Sequence, residues 1–246
     1  MAVATAVTAG AIGACAGSFI GSAVVRGARS EQPWTGRSHC DACGAHLDWA
    51  STIPIVSYAV ARGACGRCRA PIDRTHLAAE AAALVVVALP FLFLAPVRAV
   101  LVAGLGLTLV WASLVDARTG RLPDPLTLAC LALSAALALA KGWTALGAGL
   151  AVAGGAFVVL EALRRLFIHA RGAPGLGFGD VKLIAALAVW TGLATAWGVV
   201  LASCTGLLFM LARRPASGTI AFGPFIAGAV WTVGFVREAW PWPPLI

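Results

Sequence analysis

Residues 99–115 read AVLVAGLGLTLVWASLV, an apolar run without a charged side chain, and Asp116 follows it directly. A helix of about 20 such residues is long enough to cross the hydrocarbon core of a bilayer. The run is apolar throughout rather than alternating between apolar and polar residues, which excludes a strand of a membrane barrel. The stretch therefore predicts a transmembrane helix that ends at an acidic residue.

Similar runs recur along the 246-residue chain, which is 60% hydrophobic and only 11% charged. A soluble domain carries about 25% charged residues, so this composition excludes a soluble globular domain. The sparse charge also excludes intrinsic disorder. We therefore predict an all-α polytopic membrane protein embedded in the lipid bilayer, with about eight transmembrane helices. The predicted spans are roughly 3–25, 77–95, 97–115, 125–140, 144–163, 180–194, 196–211 and 220–236, and the span at 180–194 has the least certain boundary.

The predicted spans divide the chain into a first transmembrane helix over 1–25, a polar loop domain over 26–76 and a seven-helix membrane core over 77–246. Basic residues of membrane proteins concentrate in cytoplasmic loops. With the N-terminus outside, the only bases at external ends are Arg98, Lys141 and Arg237. The internal loops then hold fourteen arginines: Arg26, Arg29, Arg37, Arg62, Arg67, Arg69, Arg74, Arg118, Arg121, Arg164, Arg165, Arg171, Arg213 and Arg214. This bias predicts a multi-pass protein of the cytoplasmic membrane, and its net charge of +8 is too sparse for nucleic-acid binding.

Four of the seven cysteines form two closely spaced pairs in the polar loop: Cys40-x-x-Cys43 and Cys65-x-x-Cys68. Two such pairs have the ligand spacing of a structural zinc ribbon, in which four thiolates complete a tetrahedron. Gly44 and Gly66 adjoin the pairs, where a tight turn needs backbone freedom. Because the loop is predicted to be cytoplasmic, two disulfides are disfavoured, although disulfides and unliganded thiols stay open as alternatives. The sequence predicts a structural Zn²⁺ site in a small zinc-ribbon-like loop.

Acidic side chains within or beside membrane spans are costly, so each of them is a candidate functional group. Glu161 precedes Arg164 and Arg165 at helical spacing, which predicts an ion pair, and Asp124 precedes Pro125 as a predicted helix cap. We expect Glu238 to be a solvated acid.

Asp116 closes the third predicted span and Asp180 opens the sixth, and the arginine count puts both on the cytoplasmic side. Two facing carboxyl groups can share one proton, so that one activates water while the other polarises a peptide carbonyl. Taken singly, Asp180 is also explained as a helix cap and Asp116 as an acid near Arg118.

The combination of these motifs resembles the type IV prepilin peptidases, which are membrane aspartyl proteases of the GxGD class. The resemblance covers nearly the whole chain and is carried by Gly17-Ser18-Phe19, the two cysteine pairs, Ile53–Tyr58, Asp116 to Asp124, Gly177-Phe178-Gly179-Asp180-Val181-Lys182-Leu183 and Phe222-Gly223-Pro224-Phe225.

The resemblance implies that Asp116 and Asp180 form the catalytic pair, with Gly177, Gly179, Lys182 and Asp124 supporting the active-site loop. It implies a prepilin or pseudopilin substrate, whose short basic leader is removed at the cytoplasmic face. It further implies N-methylation of the new amino terminus with S-adenosylmethionine, for which Glu80, twelve residues after Cys68, is the candidate residue.

The chain departs from the family pattern at Gly21, Asp41, Thr52 and 74–77, all in its amino-terminal third. These departures concern the methyl-transfer step, so an alternative is a peptidase that has lost the methyltransferase activity. A membrane transporter or proton relay that uses the same acids is a second alternative, and a non-catalytic assembly factor is a third. A transporter is expected to carry acids near the bilayer midplane and an internal repeat, neither of which the sequence contains.

Overall fold

The computed structural model describes residues 2–29, 37–172, 175–214 and 220–240, and helices account for most of them. The α-helices are α1 (Ala2–Ala28), α2 (Val56–Val60), α3 (Arg74–Phe93), α4 (Pro96–Thr119), α5 (Asp124–Leu139), α6 (Trp143–Arg171), α7 (Phe178–Thr191), α8 (Thr195–Arg213) and α9 (Gly223–Ala239). Short 3-10 turns lie at Ala50–Thr52 and Gly192–Ala194. No β-strand occurs among the described residues, which confirms the predicted all-α class.

Five helical segments of the described chain are long and apolar enough to cross a membrane: α1, α3, α4, α6 and the stretch Phe178–Arg213. In that last stretch the turn Gly192–Ala194 joins α7 to α8, so two of the predicted spans form one helical segment of 36 residues. Helix α5 has 16 residues and α9 has 17, and both are shorter than each of these five segments. Helices therefore occupy all eight predicted positions, while the count of eight spans and their orientation stay predictions.

The chain divides into two compact units, Met1–Leu92 and Phe93–Ile246. Unit 1 contains α1, α2, nearly all of α3 and the cysteine loop, and unit 2 contains the helices from α4 to α9. The predicted division at residues 25 and 76 stays a prediction.

In unit 1, glycines of α1 pack directly against α3. A Cβ atom added at Gly13 would lie 2.7 Å from the carbonyl oxygen of Ala83, and one at Gly17 would lie 2.5 Å from that of Ala79. Real Cβ atoms do not approach carbonyl oxygens so closely, and small residues at such spacing are what lets two membrane helices touch. The glycine repeat therefore brings the backbones of α1 and α3 together.

We expect Gly17→Ala to destabilise unit 1 by about 1–3 kcal/mol, the usual cost of overpacking a tight contact. Gly27→Ala is the matched control, because a Cβ at Gly27 in the same helix has no neighbouring atom within 4 Å. The measurement is unfolding of the purified chain in a denaturing-detergent titration. Equal midpoints for the two variants would contradict the packing role of Gly17.

In unit 2, helix α7 forms the core. Its residues from Val181 to Thr191 are mostly buried, and it packs against α5, α6, α8 and α9. Helix α9 in turn packs against α4 and α8. The indole N–H of Trp231 in α9 donates to the carbonyl oxygen of Val102 in α4 at 3.2 Å. This arrangement holds the end of α4, the start of α7 and the start of α9 in one unit.

The prediction that Glu238 is a solvated acid is wrong. Its side chain is only 2% exposed, and its carboxylate pairs with Lys141 and lies 3.8 Å from Arg98. The indole N–H of Trp190 donates to the same carboxylate at 3.0 Å. Burial of this acid is tolerated because two cations and an N–H group surround it. Glu238 therefore ties the ends of α7 and α9 to the start of α4 and the α5–α6 turn.

Candidate active site and cysteine cluster

Asp116 lies in the last turn of α4 and is buried, with 5% of its surface exposed. The helix ends just beyond it at Gly120, whose φ of 64° is in the left-handed region that favours glycine. The backbone N–H of Gly223, at the start of α9, donates to Asp116 Oδ2 at 3.0 Å. A backbone donor thus fixes the orientation of this carboxyl group.

Asp180 lies in the first turn of α7, three residues after the N-cap Gly177, and is half-buried. Its carboxylate folds back toward the backbone of Gly177. A Cβ at Gly177 would lie 3.0 Å from Asp180 Oδ2, so a larger residue there would crowd the carboxylate. An acid three residues after the cap satisfies a free N–H at a helix start, which is half of a capping box. Gly177 is therefore a direct support of Asp180.

Leu122, in the α4–α5 connection, lies close to both acids. Gly179, next to Asp180, and Gly223, whose N–H binds Asp116, both pack against its side chain. A Cβ at Gly179 would lie 3.0 Å from Leu122 Cβ, and one at Gly223 would lie 3.3 Å from Leu122 Cδ2. The absence of side chains at both glycines lets the starts of α7 and α9 approach this leucine closely.

Lys182 and Asp124, two further predicted support residues, form an ion pair that joins α7 to α5. The predicted capping role of Asp124 is wrong, because α5 begins at Asp124 itself and its cap residue Pro123 has no side-chain hydrogen bond to the helix. The Lys182 ammonium lies 5.1 Å from the centre of the Phe178 ring, and the Arg164 guanidinium lies 5.2 Å from it. Asp124 thus serves as the partner of Lys182.

The predicted ion pair at Glu161 is confirmed. Arg164 Nε donates to Glu161 Oε2 and Arg165 Nε donates to Oε1, each at 2.7 Å. This pairing holds the Arg164 side chain close to the ring of Phe178, which is the residue after the cap of α7. The last turns of α6 are thereby linked to the helix start that carries Asp180.

In unit 1 the four paired cysteines converge, since their Sγ atoms all lie within 4.8 Å of one another. Cys40 Sγ and Cys68 Sγ are 3.9 Å apart. Four thiolates that bind one zinc ion at about 2.3 Å each would be separated by a similar distance. All four donors are sulfur, so the cluster could hold a metal such as zinc.

The two cysteine pairs form equivalent turns. In the first turn the Cys40 carbonyl accepts the Gly44 N–H, and the Cys40 sulfur accepts the Ala42 N–H. In the second turn the Cys65 carbonyl accepts the Arg69 N–H, and the Cys65 sulfur accepts the Arg67 N–H. Gly44 has φ 67°, as the sequence predicts for a tight turn. The counterpart in the second turn is Arg69, with φ 61°, so the prediction that Gly66 supplies this freedom is wrong.

Backbone hydrogen bonds also change the pKa of one of these cysteines. The N–H groups of Cys68 and Arg67 lower the pKa of Cys65 to about 6, because hydrogen bonds to a thiolate stabilise its charged form. Thiolate is the form that binds metal. Cys65 is therefore favoured in the form that would bind a metal.

A cavity of about 770 Å³ lies in unit 1 beside this cluster. Glu80, the predicted methyl-transfer residue, lines it, and its carboxylate accepts the Ile55 N–H at 2.7 Å. The other polar lining residues include Arg26, Arg29, Asp41, Tyr58, Asp73 and His76. Asp41 lies 3.5 Å from Arg29, the residue after α1, and 3.6 Å from His76 of α3, so it connects the first cysteine turn to the end of α1 and the start of α3.

The sequence pattern missed two contributors to the acidic site, the Gly223 N–H and the Leu122 side chain. Gly223 lies 107 positions from Asp116, and no local periodicity connects the two. A partial signal existed in Phe222-Gly223-Pro224, because proline is favoured in the first turn of a helix and so indicates that a helix begins here. Leu122 carried no such signal.

Two family models match the chain, "Bacterial Peptidase A24 N-terminal domain" over residues 11–94 and "Type IV leader peptidase family" over residues 103–212. A prepilin leader peptidase/N-methyltransferase of Burkholderia pseudomallei (strain 1026b) is 35% identical over 198 residues, which cover 78% of this chain and 64% of the relative. A protein of the same name from Aeromonas hydrophila is 32% identical over 205 residues, covering 79% and 70%. Another from Pseudomonas putida is 30% identical over 201 residues, also covering 79% and 70%. No solved structure matches the chain.

The chain thus spans less than two thirds of the length of the Burkholderia relative and somewhat more of the Aeromonas and Pseudomonas relatives. Both family models fall on segments that carry the sites described above, with the cysteine cluster in the first and the two aspartates in the second. On these similarities, the chain belongs to the prepilin leader peptidase/N-methyltransferase family.

Proposed function

We propose that the chain is an aspartyl endopeptidase that removes the short basic leader of a type IV prepilin or pseudopilin. The observation that carries this proposal is that Asp116 and Asp180 lie at the ends of two apolar helices beside the same leucine. Gly223, which binds Asp116, and Gly179, next to Asp180, both pack against Leu122. One carboxyl group keeps a proton and polarises the scissile carbonyl, and the other takes a proton from the attacking water. The reaction needs neither a metal ion nor a covalent intermediate.

The positions of the two acids favour a peptidase over a transporter. Asp116 lies in the last turn of α4 and Asp180 in the first turn of α7, so each acid is at a helix end. A proton relay or transport site is expected near the middle of its helices. Acids at helix ends suit a substrate segment that meets the membrane from one side. The test is the mass of a prepilin-like substrate after incubation with the purified chain, which falls by the mass of the leader if the proposal holds.

We place the protein in the bacterial cytoplasmic membrane, with its N-terminus outside and its acidic pair toward the cytoplasm. Arginines support this orientation, because they lie at the end of α4 that carries Asp116 and at the end of α1 that precedes the polar loop. Arg118 is in the last turn of α4 and Arg26 in the last turn of α1. Positive residues at these ends are typical of the cytoplasmic side.

The four-cysteine cluster is proposed to hold a structural zinc ion. Its four sulfur donors leave no coordination position open for catalysis, so the ion would supply folding energy to a loop that has little core of its own. Within this loop Cys65 is buried, while most of its neighbours are exposed.

Replacing one cysteine of each turn, in the double variant C40S/C65S, is expected to lower bound zinc from about one ion per chain to nearly none. The measurement is elemental analysis of the purified protein together with limited proteolysis of residues 37–73. The control is C204S, which changes an exposed cysteine far from the cluster in sequence. Unchanged zinc content in the double variant would contradict the metal site.

Methyl transfer is the second candidate function, and the unit-1 cavity favours it. Its volume of about 770 Å³ falls in the range of about 300–1,000 Å³ that is usual for small-molecule sites. The lining offers arginine, carboxylate and tyrosine side chains, which suit a ligand that carries both charges. S-adenosylmethionine, when bound, supplies an electrophilic methyl group. Arg29, Asp41, Tyr58 and Asp73 are the residues proposed to hold it, and Glu80 forms part of the wall.

A further inference from the structure

A strained turn at Ile55 lies between Thr52 and Ser57, which line the unit-1 cavity. Ile55 has φ 65° and ψ −49°, and the N–H of Val56 donates to the carbonyl oxygen of Pro54 at 2.6 Å. These features define a classic γ-turn, which is rare and strained. Positive φ is most costly for a β-branched residue such as isoleucine. The turn therefore persists only where its surroundings hold it.

The group that holds this turn is Glu80. Its residue is 6% exposed, and its Oε2 accepts the Ile55 N–H across 25 positions of sequence at 2.7 Å. Charged acceptors make the stronger hydrogen bonds in proteins. The bond joins α3 to Ile55, the residue whose backbone conformation is strained. One carboxylate oxygen of Glu80 is thereby committed to the backbone of Ile55.

The turn directs α2, which begins at the next residue. Ser57 and Tyr58 of this short helix line the cavity. At the far end of α2, Gly63 donates its N–H to the Tyr58 carbonyl at 2.9 Å. A Cβ at Gly63 would lie 3.0 Å from the Tyr58 hydroxyl oxygen, and its φ is +70°. Helix α2 is thus fixed between the strained turn and a glycine that leaves room for the phenol.

We infer that Glu80 is a positioning residue that holds the Ile55 turn, and through it aims Ser57 and Tyr58 into the cavity. This role rests on the proposed methyl-donor site for its functional meaning, whereas its structural part stands on the hydrogen bond and the turn alone. It differs from a direct role of the Glu80 carboxylate in moving a proton or contacting the methyl group. The two roles make opposite predictions for a neutral residue of the same shape.

The first measurement follows the rate at which chymotrypsin cuts after Tyr58 in the full-length protein in detergent, with peptides identified by mass spectrometry. We expect E80A to raise this rate by about tenfold, because the strained turn loses its partner. E80Q should stay close to the wild type, since an amide oxygen accepts the same N–H. V60A is the matched control in α2, because Val60 is 79% exposed.

The second measurement is rescue by relief of strain. Glycine adopts φ of +65° without the cost that isoleucine meets, so I55G needs no partner at Glu80. The double variant E80A/I55G is expected to bring the cutting rate most of the way back to that of I55G alone. A double variant that is cut as fast as E80A would overturn the role of strain.

Methyl transfer to a cleaved substrate provides the functional readout. E80Q is expected to keep most of the transfer, and E80A is expected to lose it with an increased Kd for S-adenosylhomocysteine. An E80Q protein with an intact turn and no transfer would overturn the positioning role, because the charge itself would then be required. Should the wild type transfer no methyl group, the methyl-donor proposal fails, and the protease rates alone decide whether Glu80 holds the turn. Equal rates for E80A and the wild type would overturn the inference.

Discussion

The variants D116N and D180N are each expected to lose leader cleavage almost completely, by about a hundredfold to ten-thousandfold, which is the usual contribution of a positioned acid or base. Asparagine keeps the size and most hydrogen bonds of aspartate but can neither hold the shared proton nor take one from water. In D116N the amide oxygen at position 116 would still accept the Gly223 N–H. The measurement is the initial rate of leader removal from a prepilin-like substrate.

The matched control is D48N in unit 1, where the exposed Asp48 accepts the Ser51 N–H at 2.9 Å and asparagine can do the same. Its cleavage rate should equal that of the wild type. Both active-site variants should remain inserted in membranes and unfold at midpoints close to the wild type. Full cleavage by either D116N or D180N would remove that residue from the catalytic pair.

The variant G223A is expected to lower cleavage by about a hundredfold, because a displacement of about 1 Å in a catalytic group can cost this much. A Cβ at Gly223 would lie 2.6 Å from Asp116 Oδ2 and 3.1 Å from its Cγ. The carboxyl group must then rotate away, which breaks its hydrogen bond with the Gly223 N–H. The effect should appear in kcat more than in KM, since Gly223 acts through Asp116.

The control for this variant lies in the same helix. A Cβ at Gly228 meets no atom within 4 Å, so G228A should leave cleavage unchanged. Both variants are glycine-to-alanine changes in α9, and their difference isolates the contact with Asp116. Activity of G223A equal to that of G228A would contradict the proposed geometry.

The fold was predictable from sequence where local composition decides structure. The apolar runs locate the helices because a bilayer accepts only segments whose backbone groups are satisfied internally. The spacing of Cys40, Cys43, Cys65 and Cys68 predicts a cluster, since two residues between ligands allow both sulfurs to face one point. The ends of α4 and α7 also predict an acidic pair. For the helices and the cysteine cluster a few neighbouring residues carry the whole signal, whereas the acidic pair also depends on the arginine count along the chain.

The sequence did not reveal features that depend on distant contacts. Glu238 looks solvated from its local sequence, and its burial depends on Trp190, 48 positions away, and on two cations, Arg98 of α4 and Lys141 of the α5–α6 turn. Asp124 looks like a cap beside Pro125, but a lysine 58 positions away is its partner. The left-handed Arg69 lies where a glycine is expected, because two hydrogen bonds to Cys65 fix its turn. Tertiary contacts outweigh local preference at all these places.

The departures from the family pattern fall in the unit that contains the cavity and the cysteine cluster. One of them, Asp41, lies between two cysteines and pairs with Arg29 and His76. Its contacts tie the first cysteine turn to the ends of two helices. Because these ion pairs are partly exposed, each contributes only about 0–1 kcal/mol. The substitution therefore fits the loop without disturbing the four sulfur positions.

The most direct test of the account is the intact mass of a prepilin-like substrate after incubation with the purified wild-type chain in detergent. We expect two products, a short basic leader and a shortened protein whose mass fixes the cut site. A further gain of one methyl group, with S-adenosylmethionine present, would support the second activity. A substrate of unchanged mass, under conditions in which the Aeromonas hydrophila relative removes the leader, would contradict the central claim.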